Sequence, residues 1–224
     1  MLDERLTLAA SLYEPCQWGA DIGTDHAYLP CHLLRTGVCQ RMIAADVSAG
    51  ALSNARENLT RAGLLDRTVL ALADGLDALE GHDCACVSIM GMGGKTLSDI
   101  LRRGQDRLNG AVLVLSAHTE LHLVRQAIID IGYSIIREEL CRAAGRFYVF
   151  WRAEPGPSSL AEEDVLFGGL MWQTSHPQLR DYAAWRMRVA QDRLRGLQSA
   201  AIPDGNAICA AEREVRFFQQ KMEV

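Results

Sequence analysis

The chain has 224 residues, 49% apolar and 23% charged, with a formal net charge of −5. That length accommodates one full α/β domain and a smaller appendage, and the apolar share excludes global disorder. No apolar run reaches membrane-spanning length, Met1-Leu2-Asp3-Glu4-Arg5 lacks the basic n-region of a signal peptide, and the seven scattered cysteines read as reduced thiols, so the expected compartment is the cytoplasm.

In chain order, residues 2–13 carry apolar side chains at helical spacing and predict a lead helix. Residues 18–21 predict a first strand and 27–35 a helix. Residues 42–46 read as a buried strand, followed by a helix that Ser48 can cap and that ends near Arg61, with Gly63 just beyond. Short apolar runs at 69–73, 85–90 and 111–115 predict three more strands, the last two each followed by a helix. Repeated βα units of this kind imply a parallel sheet covered on both faces. Residues 133–140 and 146–151 flank Ala143-Ala144-Gly145 with no helix between them, and they predict an antiparallel hairpin closing the sheet. That layout is the one used by Rossmann-like methyltransferases. A breaker-rich linker, Glu154-Pro155-Gly156-Pro157-Ser158-Ser159, divides residues 1–154 from a small helical domain at 160–224. Its predicted helices are 161–174, 177–198 and 207–222, with Pro203-Asp204-Gly205 turning between the last two.

The first strand runs into Gly19-Ala20-Asp21-Ile22-Gly23-Thr24-Asp25-His26-Ala27-Tyr28-Leu29-Pro30. Gly23 lets backbone approach a ligand, and the next helix presents unpaired N–H groups at the same place. A pyrophosphate loop wants three glycines at G-x-G-x-x-G. Here Asp21 and Asp25 stand in that turn, where they repel pyrophosphate and suit a cationic ligand such as S-adenosylmethionine. Two more carboxylates fall at strand ends: Asp46, at the spacing of the acid that bonds ribose hydroxyls, and Asp74-Gly75, where an adenine amino group can donate. Met90-Gly91-Met92-Gly93-Gly94-Lys95 ends the fourth strand. Its glycines admit a flat base or a methyl donor to the backbone, or serve a tight βα turn, and Lys95 could contact an anion. Gly93-Gly94-Lys95-Thr96 lacks the spacing of a phosphate loop. No metal site is expected: Cys84-x-Cys86 supplies two of the four ligands zinc needs, and His118 with His122 lacks the H-E-x-x-H arrangement.

The residues at 21–30, with Asp74-Gly75-Leu76 and Gly91-Met92-Gly93-Gly94, resemble the bacterial TrmK family of tRNA (adenine-N1)-methyltransferases acting at adenine 22. The likeness covers residues 4–152, and the region around Phe167-Gly168 and His176-Pro177 is similar to the family's helical C-terminal part. The resemblance implies a Rossmann-like core, S-adenosylmethionine as donor, tRNA as partner and a coiled-coil-like C-terminal domain that helps hold the RNA. By position it assigns Asp21, Gly23, Asp25 and His26 to the cofactor motif, Asp46 to the ribose, Asp74-Gly75 to the adenine, and the loop from Gly91 to Gly94 to the target base; Val47, Gly91 and Met92 are further candidate cofactor contacts, and Gly93 and Gly94 candidate substrate contacts. The chain departs from the family where Leu115-Ser116-Ala117-His118 replaces a usual Gln-Pro pair and where Asp46 replaces Glu.

Adenine N1 has a lone pair and no proton, so it needs no base, and its methylated product is cationic. The protein has to align an in-line transfer and stabilise that charge. Asp25 is the candidate catalytic carboxylate; its alternative role is to cap the helix at Ala27. His26 and Tyr28 either gate the pocket or pack at the helix start. Neither part of the chain is basic, so any RNA surface must be local. Arg180, Arg186, Arg188, Arg193 and Arg195, near Trp172, Tyr182 and Trp185, make one helix basic, which is either a phosphodiester stripe or a solvated face; Arg186 and Arg193 are the candidate RNA contacts. A small-molecule methyltransferase fits the acidic charge, and a non-catalytic S-adenosylmethionine-binding protein fits the divergent Ser116-Ala117-His118.

Overall fold

A computed structural model describes residues 2–174, 176–202 and 204–223. Seven strands, β1 (Cys16–Ile22), β2 (Cys39–Asp46), β3 (Thr68–Leu72), β4 (Cys86–Met92), β5 (Val112–Ala117), β6 (Tyr133–Ala143) and β7 (Arg146–Pro155), form one sheet in the order β3-β2-β1-β4-β5-β7-β6. β1 to β5 are parallel, and β7 is antiparallel to both β5 and β6. The expected hairpin therefore closes the sheet. Its two turn residues, Ala144 (φ 48°) and Gly145 (φ 78°), are both left-handed, as a two-residue hairpin turn that follows the strand twist requires.

Helices α1 (Glu4–Ser11), α2 (Tyr28–Thr36) and α3 (Ala49–Ala62) cover one face, where Leu12, Leu33, Leu34 and Leu59 pack on Met42, Val114 and Phe150. On the other face, α4 (Gly94–Gly104) and α5 (Leu121–Asp130) pack Leu97 and Ile128 on Val87, Ile89, Leu113 and Leu115. Asp3 caps α1 by accepting from Leu6 N, Ser48 caps α3 by accepting from Ala51 N, and Gly63 (φ 68°) closes α3. The lead helix is shorter than its apolar pattern suggests, because Tyr13 turns into the core, where its hydroxyl lies 3.0 Å from Ala20 O and 2.8 Å from Ser88 Oγ.

After β7 come α6 (Glu162–Phe167), α7 (Leu179–Gln198) and α8 (Gly205–Glu223). The continuous helix expected over 161–174 breaks at Gly168 (φ 99°) and resumes as a single 3₁₀ turn at Leu170–Gln173. The break is held from outside. Glu138 Oε2 accepts from Gly169 N at 3.1 Å and Met171 N at 3.3 Å, while Oε1 accepts from Arg125 Nε at 2.7 Å and Trp151 Nε1 at 2.8 Å. Both charged side chains are only 1% exposed. The buried pair thus ties α5, β6 and β7 to the start of the helical segment. α7 and α8 run antiparallel: Tyr182 and Arg186 of α7 meet Phe218 and Glu214 of α8, and Asp204 accepts from Asn206 N and Ala207 N to cap α8. Their apolar faces join the core of the second face through Tyr182, Phe217 and Phe218. The predicted turn residue Pro203 lies outside the described residues.

Candidate active site

The carboxyl ends of β1, β2, β4 and β5 meet at one edge of the sheet, where ligands bind in open α/β folds. Asp21, on β1 opposite Ser88 of β4, is 7% exposed. Ser88 Oγ donates to Asp21 Oδ1 at 2.7 Å, and Tyr13 supports Ser88 from below. Burial raises the Asp21 carboxyl above the usual aspartate range; the Ser88 hydrogen bond opposes this, and the charge of Asp46 adds to it. Among the described residues no arginine or lysine forms an ion pair with Asp21, and Arg5, on the same cavity, is held by Asp3.

Asp21 lines a cavity of about 390 Å³ together with Gly23, Asp25, His26, Gly91 and His118. Gly23 (φ 81°) turns the chain there, and Gly23 N and Thr24 N both donate to Ala45 O, at 2.8 and 2.9 Å. Thr24 Oγ1, also at the cavity, is buried without a hydrogen-bond partner. Ala27 adopts a left-handed φ of 52°, a conformation that costs about 1–3 kcal/mol in a non-glycine residue, and no side chain caps α2. The first N–H groups of α2 therefore open on the cavity, which Ala27, Tyr28 and Leu29 also line.

Asp25 does not cap α2. Its Oδ2 lies 3.2 Å from His26 Nε2, Asn54 Nδ2 approaches Oδ1 at 3.5 Å, and the carboxylate is otherwise exposed at the cavity. The His26 ring stacks on Tyr28, with centroids 5.3 Å apart and planes 19° apart. Gly91 (φ 80°) forms a bulge between Met90 and Met92 against β5. Gly94 has a packing reason to be glycine: a Cβ there would stand 2.4 Å from Thr119 O and 2.6 Å from Glu120 O. Gly93 precedes it as the uncapped start of α4.

The remaining predicted residues lie along the same edge but outside the cavity lining. Asp46 Oδ1 accepts from Ser48 N at 2.7 Å, with Val47 exposed beside it. Asp74 is held bidentately by Arg103 at 2.8 and 3.0 Å, and that guanidinium lowers its carboxyl. Gly75 (φ 59°) packs against Ile100, and Met92 packs against the core. The anion contact considered for Lys95 meets a competitor, because its Nζ lies 2.9 Å from Asp99. On α7, Arg186 bonds Glu214 at 2.6 Å and lies over Phe218, and Arg193 reaches the same carboxylate at 3.5 Å. In this arrangement Arg186 is largely buried and joins α7 to α8, rather than offering a free cation to a phosphate.

Several cavity residues were not assigned to the site from the sequence, although His118 stood out there as part of the divergent 115–118 segment. Arg5 comes from α1, Tyr148 and Phe150 from β7, and His118 from the loop after β5, where His118 N donates to Met92 O and its ring meets Tyr148 edge-on. Arg5 lies 5.1 Å from the Tyr148 centroid. Strand periodicity foresees β7 but not which of its residues reach the edge of β5. Among the described residues, no group of three or more His, Cys, Asp or Glu could hold a metal ion, and no helix is long and apolar enough to cross a membrane.

Comparison with known proteins gives a consistent set of relatives. The model of the TrmK family, tRNA (adenine(22)-N(1))-methyltransferase, matches residues 19–210. The tRNA (adenine(22)-N(1))-methyltransferase of Bacillus subtilis (strain 168) is 28% identical over 165 residues, 73% of this chain and 69% of that protein. A candidate tRNA (m1A22) methyltransferase of Streptococcus pneumoniae, solved with S-adenosyl-L-methionine, is 27% identical with a TM-score of 0.86, covering 99% of this chain and 100% of that one. The crystal structure of the B. subtilis enzyme, at 23% identity and a TM-score of 0.89, covers 99% of both chains and shows the shared fold. With the family model matched across sheet and helices alike, the chain belongs to the TrmK family of tRNA (adenine(22)-N(1))-methyltransferases.

Proposed function

We propose that the chain transfers a methyl group from S-adenosylmethionine to N1 of adenine 22 in tRNA. The observation that carries the cofactor part is Asp21: a buried carboxylate with a raised pKa, open on a cavity and without an ion-pair partner among the described residues. A cationic ligand relieves that arrangement, whereas a pyrophosphate would worsen it. Buried Thr24 Oγ1, without a hydrogen-bond partner among the described residues, gives the same cavity a further polar anchor. The residues present therefore fit S-adenosylmethionine, whose sulfonium supplies an electrophilic methyl group when bound.

Asp21, the Gly23 turn and Gly91 would hold the charged part of the cofactor at the end of β1. Asp46 and Val47, at the end of β2, would take the ribose, and Asp74-Gly75 the adenine, with Asp74 accepting beside Arg103 or in its place. Asp25 would face the acceptor. Free of any capping duty and tethered by His26, it can accept from an adenine amino group and offset the positive charge that develops on the ring. The loop through Gly93 and Gly94 would fix one wall, because Gly94 N donates to Thr119 O at 3.1 Å and leaves no room for a side chain between them. Nothing has to remove a proton from N1, which agrees with a site that orients and carries charge. The helical segment 160–224 would hold RNA, and an RNA substrate fits a cytoplasmic location.

The test is transfer of a labelled methyl group into total RNA compared with a small-molecule extract. Label in the tRNA fraction is expected; label confined to metabolites, or cofactor binding with no transfer, would contradict the proposal.

A further inference from the structure

A second groove, of about 800 Å³, lies between the loop after β5, strand β7 and the α7–α8 pair, and His118 lines both it and the cavity at Asp21. The groove adjoins the site at His118. Trp185 and Val189, one turn apart on α7, are 39% and 46% exposed and line it. Large apolar side chains on a solvated helix mark a surface that something covers. The Trp185 ring lies 5.7 Å from Phe147 and 5.8 Å from Tyr182, so it is a braced aromatic plate.

The charge around this plate selects the occupant. Two acids line the groove: Glu214 is neutralised by Arg186 and Arg193, while Glu120 accepts from Lys95 N at the start of α4, and Arg213 is taken by Glu162 and Glu163. Arg142 and Arg146, at the β6–β7 turn just outside the groove lining, have no carboxylate partner among the described residues, and the Arg142 guanidinium sits 5.3 Å from the centroid of Phe147, which does line it. An exposed aromatic plate beside unpaired guanidinium groups is the combination that holds single-stranded nucleic acid, by base stacking and phosphate contact together.

We propose that this groove receives the nucleotide next to the target base, with its base stacked on Trp185 and its phosphate on Arg142 and Arg146. The inference rests on the tRNA reading above and adds a positioning subsite to it. A target base placed beside Asp25 is attached to a strand that has to leave the cavity, and the groove on the far side of His118 is the adjoining surface. The subsite holds the acceptor without touching the cofactor.

The test measures the Kd for tRNA directly, by filter binding, alongside turnover and the Kd for S-adenosylmethionine. Trp185→Ala is expected to weaken tRNA binding about tenfold, the scale of one lost base stack, while Trp185→Phe stays within about threefold of the parent. S-adenosylmethionine affinity is expected to be unchanged in both. Val189→Glu and Val189→Lys, substitutions at an exposed position, provide a sign test: Glu is expected to weaken tRNA binding and Lys to leave it unchanged or strengthen it. Unchanged tRNA affinity in Trp185→Ala, or equal effects of Glu and Lys at 189, would overturn the subsite. So would a Trp185→Ala change confined to sedimentation, since the groove would then be covered by a second copy of the chain. A parent that binds tRNA through Trp185 yet methylates none of it would refute the functional reading and leave the subsite standing.

Discussion

Replacing Glu138 by Gln removes one charge from a site where four donors converge on one carboxylate. A glutamine can supply only one oxygen. Its NH₂ group must face either Arg125 and Trp151 or the backbone N–H groups of Gly169 and Met171, so donor is set against donor on one side. The Arg125 cation, 1% exposed, is left without a counter-ion. Breaking a buried pair in this way costs about 3–5 kcal/mol, and at this chain length each kcal/mol lowers Tm by about 2–4 °C, so a fall of about 6–20 °C is expected. Urea unfolding and a thermal melt read this directly. The double variant Arg125→Met/Glu138→Gln, which removes both charges but keeps an oxygen to accept from the backbone N–H groups of Gly169 and Met171, is expected to lose less than Glu138→Gln. A single variant within about 1 kcal/mol of the parent, or a double variant worse than the single one, would refute the reasoning.

Asp21→Asn separates stability from binding. Because the folded Asp21 pKa is raised, the folded protein holds its proton more tightly than the unfolded chain does. The associated stability is fully present below the unfolded value and is lost as pH rises through the folded one. At neutral pH the Asn variant is therefore expected to melt higher than the parent in the absence of cofactor, while its affinity falls more for S-adenosylmethionine than for the uncharged thioether product; equal losses for both ligands would contradict a charge role. Gly94→Ala forces a Cβ to within 2.4 Å of a backbone carbonyl oxygen, which a rotamer change cannot relieve, and a cost of about 1–3 kcal/mol is expected in a melt, together with lower turnover. Asp25→Ala is expected to lower kcat about tenfold to a hundredfold with S-adenosylmethionine affinity and Tm nearly unchanged, and normal turnover would remove it from the acceptor side.

The sheet was legible because its signals are local. Alternation of apolar runs and helical stretches located every strand, although β1 begins earlier than expected because Cys16 pairs with Cys39, a partner that strand periodicity alone does not identify. Helix caps such as Ser48 and Gly63 were legible for the same reason. What was hidden depended on residues far apart in sequence. The break at Gly168 needs Glu138, thirty residues upstream, to draw in the next backbone N–H groups. Arg103 engages Asp74, and Glu214 engages Arg186, through contacts that neither helix pattern contains. The sequence left Asp25 with two roles, as a helix cap or an acceptor-facing carboxylate; the geometry removes the first, because α2 starts on a left-handed Ala27 with no side-chain cap. The aromatic wall of Tyr148 and Phe150 emerges only once the hairpin is laid against β5.

The most direct test incubates the protein with S-adenosylmethionine and a tRNA carrying adenine at position 22, beside the same tRNA with guanine there, and identifies the modified nucleoside by mass spectrometry. One 1-methyladenosine at position 22 of the first tRNA and none in the second is the predicted result. Equal methylation of both, or a methyl group on any other atom or position, would contradict the account.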